Sequence, residues 1–277
     1  MIDKIPPRDY DDIPIRRSYD REVVGPLTRV QGGNVTTLRR LRYGSHNYPL
    51  LLVQYPAAFV HTHPTVLISG GVHAGDEEGG VYAIIGFLEE EVRQYADRLN
   101  LCLLPCVNPS GFEAGTRLTM NGVDLNRSFG IGSAQPEVAA IEEWLIYHAH
   151  QFRLMLDLHE NSPEAPDDPR ACYLYEDMGD RERRIGRRLI DALPCWAPVC
   201  LLPTIEKEEN DRGVIAYPEA RRNEKFVAAF DTYVSQHWTD HTIVTETPTI
   251  WSMEKRIAIQ RLWLRRALDL VLAEKVG

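Results

Sequence analysis

This chain predicts an α/β fold: a mostly parallel mixed sheet covered by helices on both faces. Three observations lead there. Continuous apolar runs rich in β-branched residues recur at "TVLISGG" (65–71), "LNLCLLPCVN" (99–108), "FRLMLDLH" (152–159) and "HTIVTET" (241–247), as in strands buried on both sides. Stretches of helical periodicity lie between them, and strands alternating with helices build parallel sheets. The chain has 277 residues, 44% of them hydrophobic, enough to bury one large core.

Residues 1–36 read as an irregular N-terminal lead, and 37–277 as a single domain. "LRYGSHNYPLLLVQY" (41–55) predicts two strands joined through the turn residues of "GSHNYP". Paired glycines end "TVLISGG", and Val81, Ile84, Ile85 and Leu88 then keep the spacing of a helix with one apolar face. "NPSG" closes the second buried strand. "QPEVAAIEEWLIYHAH" (135–150) is an amphipathic helix with Pro136 and Glu137 in its first turn, where proline and a carboxylate both fit. "ACYLYE" (171–176) predicts a further strand and 181–192 a helix, whereas 194–217, rich in proline and charge, gives no clear period. "EARRNEKFVAAFDTYVSQ" (219–236) predicts a helix, and a C-terminal helix carries Leu264, Ala267, Leu268 and Val271 on one face.

Composition excludes several roles. A formal charge of −9 argues against a nucleic-acid partner, which calls for a basic excess. No apolar run is long enough to span a membrane, and "MIDKIPPRDYDDIPIRR" has no apolar middle of a secretory signal. A cytoplasmic location is therefore expected. The five cysteines (Cys102, Cys106, Cys172, Cys195, Cys200) are scattered without a CxxC pair and read as reduced and structural.

Four groups fall at equivalent places in this plan. His73 follows the first buried strand, Arg127 follows the second through a loop, and His159 and Glu246 end the third and the last. Ligands of open α/β sheets bind beyond the carboxyl ends of the strands, so residues far apart in sequence can converge there. Two histidines and a carboxylate, with one position left open, form a catalytic zinc sphere. Asp76 stands three residues after His73 and Glu77 four after it; either can reach the same ion if a helix begins there. His159, preceded by Asp157, supplies the third ligand. Glu246 is then placed to take a proton from water and pass it to a leaving amine. Each residue also has a plainer reading: a hydrogen-bonded loop histidine, a helix N-terminus in "GDEEGG", a satisfied carboxylate at a strand end. A second histidine pair, His61 and His63 in "HTH", lies before its strand, at the wrong end of the sheet for this crevice.

The motif series resembles the zinc carboxypeptidase family, the carboxypeptidase A-like metallopeptidases, over about residues 41–250. "SGGVHAGD" is similar to its "GG-x-H-x-x-E" metal stretch, and "NPSGFEAGTRLTMNGVDLNRSF" (108–129) to its "NPDG…R…NGVDLNRNF", the most specific match. "QPEV" resembles its "S-x-PE" helix start, "DLHE" its "D-x-H-S" third-ligand strand and "TIVTET" the strand of its general base. The resemblance implies a zinc carboxypeptidase-like (phosphorylase/hydrolase-like) three-layer sandwich holding one Zn2+ through His73, His159 and a carboxylate. It implies Glu246 as general base and Arg117 as the oxyanion-stabilising arginine. Asn126 and Arg127 would grip the substrate's terminal carboxylate, a role that suits a planar guanidinium fork. Without the motif, Arg127 reads as an ion-pair partner of Asp124.

The chain departs from the family pattern in two places. Position 76 holds aspartate where the family has glutamate; the gap-free reading, which is preferred, makes Asp76 the ligand, and a one-residue insertion would instead make it Glu77. Glu160 stands where a small polar residue is usual, and it could tune the metal, bind a basic substrate group or pair with a surface arginine. Tyr217 and Tyr233 both precede Glu246, and neither has the motif of the family's catalytic tyrosine.

The expected function is hydrolysis of an amide next to a free C-terminal carboxylate, in a peptide or N-acyl amino acid. The alternative is a zinc amidohydrolase of the aspartoacylase or succinylglutamate desuccinylase kind. Those relatives add a β-rich domain after the catalytic glutamate, and only 31 residues follow Glu246. A third reading is a binding protein that kept the fold without the chemistry.

Overall fold

The computed structural model describes residue 10 and residues 13–130, 132–148, 151–161, 169–217 and 227–274. Its strands are β1 (Asn34–Tyr43), β2 (His46–Tyr55), β3 (Thr65–Gly70), β4 (Asn100–Leu104), β5 (Leu154–Asn161), β6 (Tyr173–Met178), β7 (Thr204–Ile205), β8 (Glu208–Glu209), β9 (Val214–Tyr217) and β10 (His241–Pro248). Its helices are α1 (Gly25–Leu27), α2 (Gly79–Glu90), α3 (Pro109–Ala114), α4 (Pro136–His148), α5 (Gly186–Ile190), α6 (Phe230–His237) and α7 (Met253–Ala273). Eight strands form one mixed sheet in the order β1-β2-β4-β3-β5-β10-β6-β9, and β7 and β8 pair separately. The four central strands β4, β3, β5 and β10 run parallel; β2 joins β4, and β6 joins β10, in the antiparallel sense.

The central strands are apolar throughout because both of their faces are covered. Every residue of β3, β4 and β5 is buried. Helices α2 and α7 pack on each other and on one face, while α6 meets β5 and β10 from the other. Helix α2 buries the predicted stripe Val81, Ile84, Ile85 and Leu88 together with Phe87, and α7 buries the predicted Leu264, Ala267, Leu268 and Val271 together with Trp263. Each fully buried aliphatic or aromatic side chain of this kind contributes roughly 1.5–3 kcal/mol.

The connections set the position of the crevice. From β3 the chain crosses through α2 to β4 on one side, then returns past α4 to β5 on the other side of β3. The strand order therefore reverses between β3 and β5, and such switch points open a cleft at the carboxyl ends of the strands. His73 leaves β3 at that end, His159 lies near the end of β5, and Glu246 is directly paired with His159 in the parallel β5–β10 register. Paired residues on adjacent strands point to the same face.

The structure refines several elements of the predicted plan. The N-terminal lead is helical over Asp20–Leu27 and buries Tyr19, Val23 and Leu27 against the core. The first strand begins at Asn34, and the turn into β2 is only Gly44–Ser45. The segment 181–192 holds one 3-10 turn and the short α5. Of the helix predicted over 219–236, residues 219–226 lie outside the described residues, and α6 begins at Phe230. All five cysteines are free thiols, four of them buried. Among the described residues no helix is long and apolar enough to cross a membrane.

Candidate metal centre

The site is assembled from the turn after β3. Gly71 adopts φ 64°, and a Cβ there would stand 2.6 Å from the Val81 side chain, so glycine is needed where the chain leaves the sheet. The backbone then makes one helix-like turn in which Glu77 N–H donates to His73 C=O at 3.0 Å. That i to i+4 bond stacks the Glu77 side chain over His73.

Glu77 lies between two imidazoles. Its Oε1 is 2.9 Å from His73 Nδ1, and its Oε2 is 2.8 Å from His159 Nδ1. All three residues are buried, and their ligand atoms lie within 4.8 Å of one another. They are the one such group among the described residues. The outer nitrogens are backed by carboxylates: His73 Nε2 faces Asp124 Oδ1 at 3.1 Å, and His159 Nε2 faces Asp157 Oδ2 at 3.0 Å. Asp157 is itself fixed by Ser69 Oγ–H at 2.8 Å. Metal-ligating histidines are commonly held in this way, with one nitrogen on a carboxylate and the other free for the ion. Two Nδ1 atoms and one carboxylate, buried and converging, fit a zinc ion with an open position.

The geometry corrects the preferred carboxylate. Asp76 is not part of the cluster; Glu77 is. The three-residue spacing falls short of the full turn that carries position 77 over His73. Asp76 keeps a buried Oδ1 without a hydrogen-bond partner among the described residues, and burial, followed by the Glu77 charge, pushes its carboxyl up to about 6.

Charge inside the cluster is strongly biased. Burial alone would raise Glu77, but His73 and His159 outweigh it and hold the carboxyl well below its usual range. Burial alone would lower His159, yet Asp157 and Glu77 hold it well above an ordinary histidine. Burial would likewise raise Asp124, and the His73 hydrogen bond together with nearby Arg117 brings it down to about 2. Such counter-charged pairs keep the carboxylates ionised in a dry pocket.

The other predicted residues line the same cleft, a cavity of about 130 Å³. Glu246 faces it with its carboxyl pushed up, first by burial and then by the charge of Glu77. Arg117 Nη1 donates to Glu77 Oε1 at 2.8 Å, and its Nε lies 3.7 Å from Asp124. Asn126 and Arg127 sit on a 3-10 turn that Asp124 caps by accepting from Asn126 N–H at 2.9 Å. Asn126 Oδ1 accepts from Phe230 N–H at 2.9 Å, which ties this turn to the start of α6. Arg127 Nη1 donates to Asn126 C=O at 2.7 Å.

Glu160 points to the opposite face, where Arg256 Nε donates to its Oε1 at 2.8 Å and Thr247 Oγ–H at 2.9 Å. Its arginine partner is thus buried rather than on the surface. Tyr233 is packed against Phe129 and Trp238, away from the cleft, and the side chain of Tyr217 lies outside the described residues. His61 and His63 lie in a turn at the other end of the sheet, lining a separate cavity with Arg153 and Arg183.

Sequence reasoning missed Tyr173, Tyr175, Glu206 and Asp231, which also line the cleft. Tyr173 pairs with Glu246 across the β6–β10 ladder, and Tyr175 O–H donates to Glu206 at 3.3 Å. Glu206 and Lys207 form the β7–β8 turn with φ of 48° and 73°, a conformation whose usual sequence signal is Asn-Gly. Asp231, in the first turn of α6, is pushed up to about 7 by burial and then by Asp157.

A family profile described as the succinylglutamate desuccinylase/aspartoacylase catalytic domain matches residues 62–165, the segment that holds His73, Glu77 and His159. Carboxypeptidase E of Caenorhabditis elegans is 31% identical over 230 residues, covering 58% of this chain and 48% of that protein. The match thus spans about half of that relative's length. A protein described as a metallopeptidase from Shewanella amazonensis superposes with a TM-score of 0.76 at 24% identity, covering 92% of this chain and 93% of that one. A metallo-carboxypeptidase from Pseudomonas aeruginosa, solved with (2-guanidinoethylmercapto)succinic acid, has a TM-score of 0.61 at 20% identity, covering 92% and 68%. At such identities the two structures share the fold with this chain. The motif order, the matched segment and the common fold agree, and together they support a zinc carboxypeptidase-like family for this chain.

Proposed function

We propose that this protein is a zinc-dependent metallocarboxypeptidase that hydrolyses the amide next to a free C-terminal carboxylate. One observation carries the reading: Glu77 bridges His73 and His159 at 2.9 and 2.8 Å, with Glu246 paired beside His159 at the same strand end. A zinc ion held by His73, Glu77 and His159 would supply Lewis acidity toward the scissile carbonyl and toward a water.

The chain's own residues do the remaining work. Glu246 accepts a proton from the attacking water and returns it to the leaving amine. Its half-buried setting beside Glu77 raises its basicity, which suits a carboxylate that must hold that proton between the two steps. Arg117, at the cleft wall beside Glu77, places positive charge where the carbonyl oxygen becomes an oxyanion. Asn126 and Arg127 bind the terminal carboxylate. Asp124 and Asp157 keep the two imidazoles oriented. The substrate would be a peptide or N-acyl amino acid met in the cytoplasm, a location in keeping with the free cysteines.

The match over 62–165 favours a second reading, an N-acyl amino acid deacylase built on the same core. Zinc-loaded protein assayed on short peptides with free or amidated C-termini, and on N-acyl amino acids, separates the two. The first reading predicts turnover of free-acid peptides and none of the amides. Turnover confined to N-acyl amino acids contradicts it, and inactivity on every substrate leaves a binding protein. In the same assay Arg127→Ala is expected to raise KM by about 10–100-fold with kcat less affected, the scale of a lost charged hydrogen bond. An unchanged preference for free carboxylates would move the clamp elsewhere.

A further inference from the structure

Behind the cleft, the loop that carries Glu77 is held by side chains from both ends of the chain. Arg256, on α7, is almost fully buried. Its Nε donates to Glu160 Oε1 at 2.8 Å and its Nη2 to Glu160 Oε2, a two-pronged pair. The same guanidinium reaches Glu78 Oε1 at 3.5 Å and the Asp76 carbonyl at 3.4 Å. Arg17, from the N-terminal lead, meets Glu78 Oε1 from the other side at 2.9 Å and donates to the Gly75 carbonyl at 3.0 Å. Glu160 closes the frame: its Oε2 accepts from Gly79 N–H at 2.7 Å, and its own N–H donates to Glu77 Oε2 at 3.2 Å. The fit around Gly79 is tight, since a Cβ there would fall 2.4 Å from Glu160 Oε1.

We infer that Arg256 is a positioning residue for the metal centre, fixing the Glu77 loop through Glu160 and Glu78, with Arg17 as the opposing prong. The inference rests on the metal reading given above. Positions 75, 76, 78 and 79 each receive a contact from this frame, and Glu77 is the residue they surround. The frame adds to the Glu77 N–H bond to His73 C=O and to the Arg117 contact by fixing the backbone on either side of Glu77, so without it Glu77 is held less firmly between the imidazoles. Glu160, which departs from the family pattern, is the carboxylate that joins Arg256 to this loop. Outer partners of metal ligands commonly set affinity in this way.

The test is zinc affinity, read by competition with a chromophoric chelator on the full chain, alongside the melting temperature of the metal-free protein. Arg256→Met leaves buried carboxylates without their cation and can prevent folding. The double variant Glu160→Gln/Arg256→Met removes both charges of the pair, and Arg17→Met loosens only the outer prong. Wild-type protein and His73→Ala serve as references. The expected result is zinc binding weakened about 10–100-fold in the double variant and to a smaller extent in Arg17→Met, even where the metal-free melting temperature is recovered. Arg256→Lys, which keeps charge but lacks the fork, should fall between wild type and Arg256→Met. Wild-type zinc affinity in the double variant and in Arg17→Met, with His73→Ala still losing zinc, would overturn the positioning role alone. If His73→Ala binds zinc like the wild type, or the wild type binds none, the metal reading fails and the positioning role falls with it.

Discussion

Glu246→Gln is expected to lose about 10²–10⁴-fold in kcat while retaining its zinc, the range a general base contributes. The substitution keeps the size of the side chain and removes only its capacity to take a proton. Glu246 lies outside the His73–Glu77–His159 group, so its neutralisation leaves the ligand set intact. It also removes a half-buried carboxylate whose ionised form is opposed by desolvation and by Glu77. The folded protein should therefore be no less stable, and a higher melting temperature is expected. Metal content and steady-state kinetics on one preparation check both halves. Normal turnover would remove Glu246 from the mechanism, and loss of zinc would make it a ligand.

The second large effect separates Glu77 from Asp76. Glu77→Gln should abolish stoichiometric zinc binding, since it removes the charged member of a three-ligand set between two imidazoles. Asp76→Asn should keep zinc at wild-type stoichiometry, because that side chain lies outside the cluster. The Asp76 carboxyl is pushed up by burial, so an amide there should raise stability or leave it unchanged. The sign follows from linkage: a carboxyl with a raised folded pKa destabilises the fold as pH rises through the range where the unfolded chain has already ionised. Elemental analysis of the two purified variants reads out the contrast. The opposite pattern, zinc lost from Asp76→Asn and kept in Glu77→Gln, would restore the aspartate as ligand.

The parts of the fold that were legible in the sequence share one physical cause. β3, β4, β5 and β10 are covered on both faces, so they read as unbroken apolar runs. Helices α2, α4 and α7 each lie on the sheet and show its imprint as a stripe. The convergence of His73, His159 and Glu246 followed from their places at strand ends, which topology alone brings together. What stayed hidden depended on local geometry or distant partners. β1 carries four arginine or threonine positions open to solvent, and its apolar residues are too sparse to mark its start at Asn34. The choice of Glu77 over Asp76 turns on a single backbone bond from residue 77 to residue 73. Glu206 reaches the cleft from a two-residue turn with positive φ at non-glycine residues, for which composition gives no cue. The pairing of Glu160 with Arg256 joins residues 96 positions apart.

Anomalous X-ray diffraction at the zinc edge, from crystals grown with the metal, reads directly whether His73, Glu77 and His159 share one ion. One strong peak is expected, bounded by His73 Nδ1, His159 Nδ1 and the carboxylate of Glu77, at the carboxyl ends of β3 and β5. A peak at His61 and His63 instead, or none within reach of both His73 and His159, would contradict it.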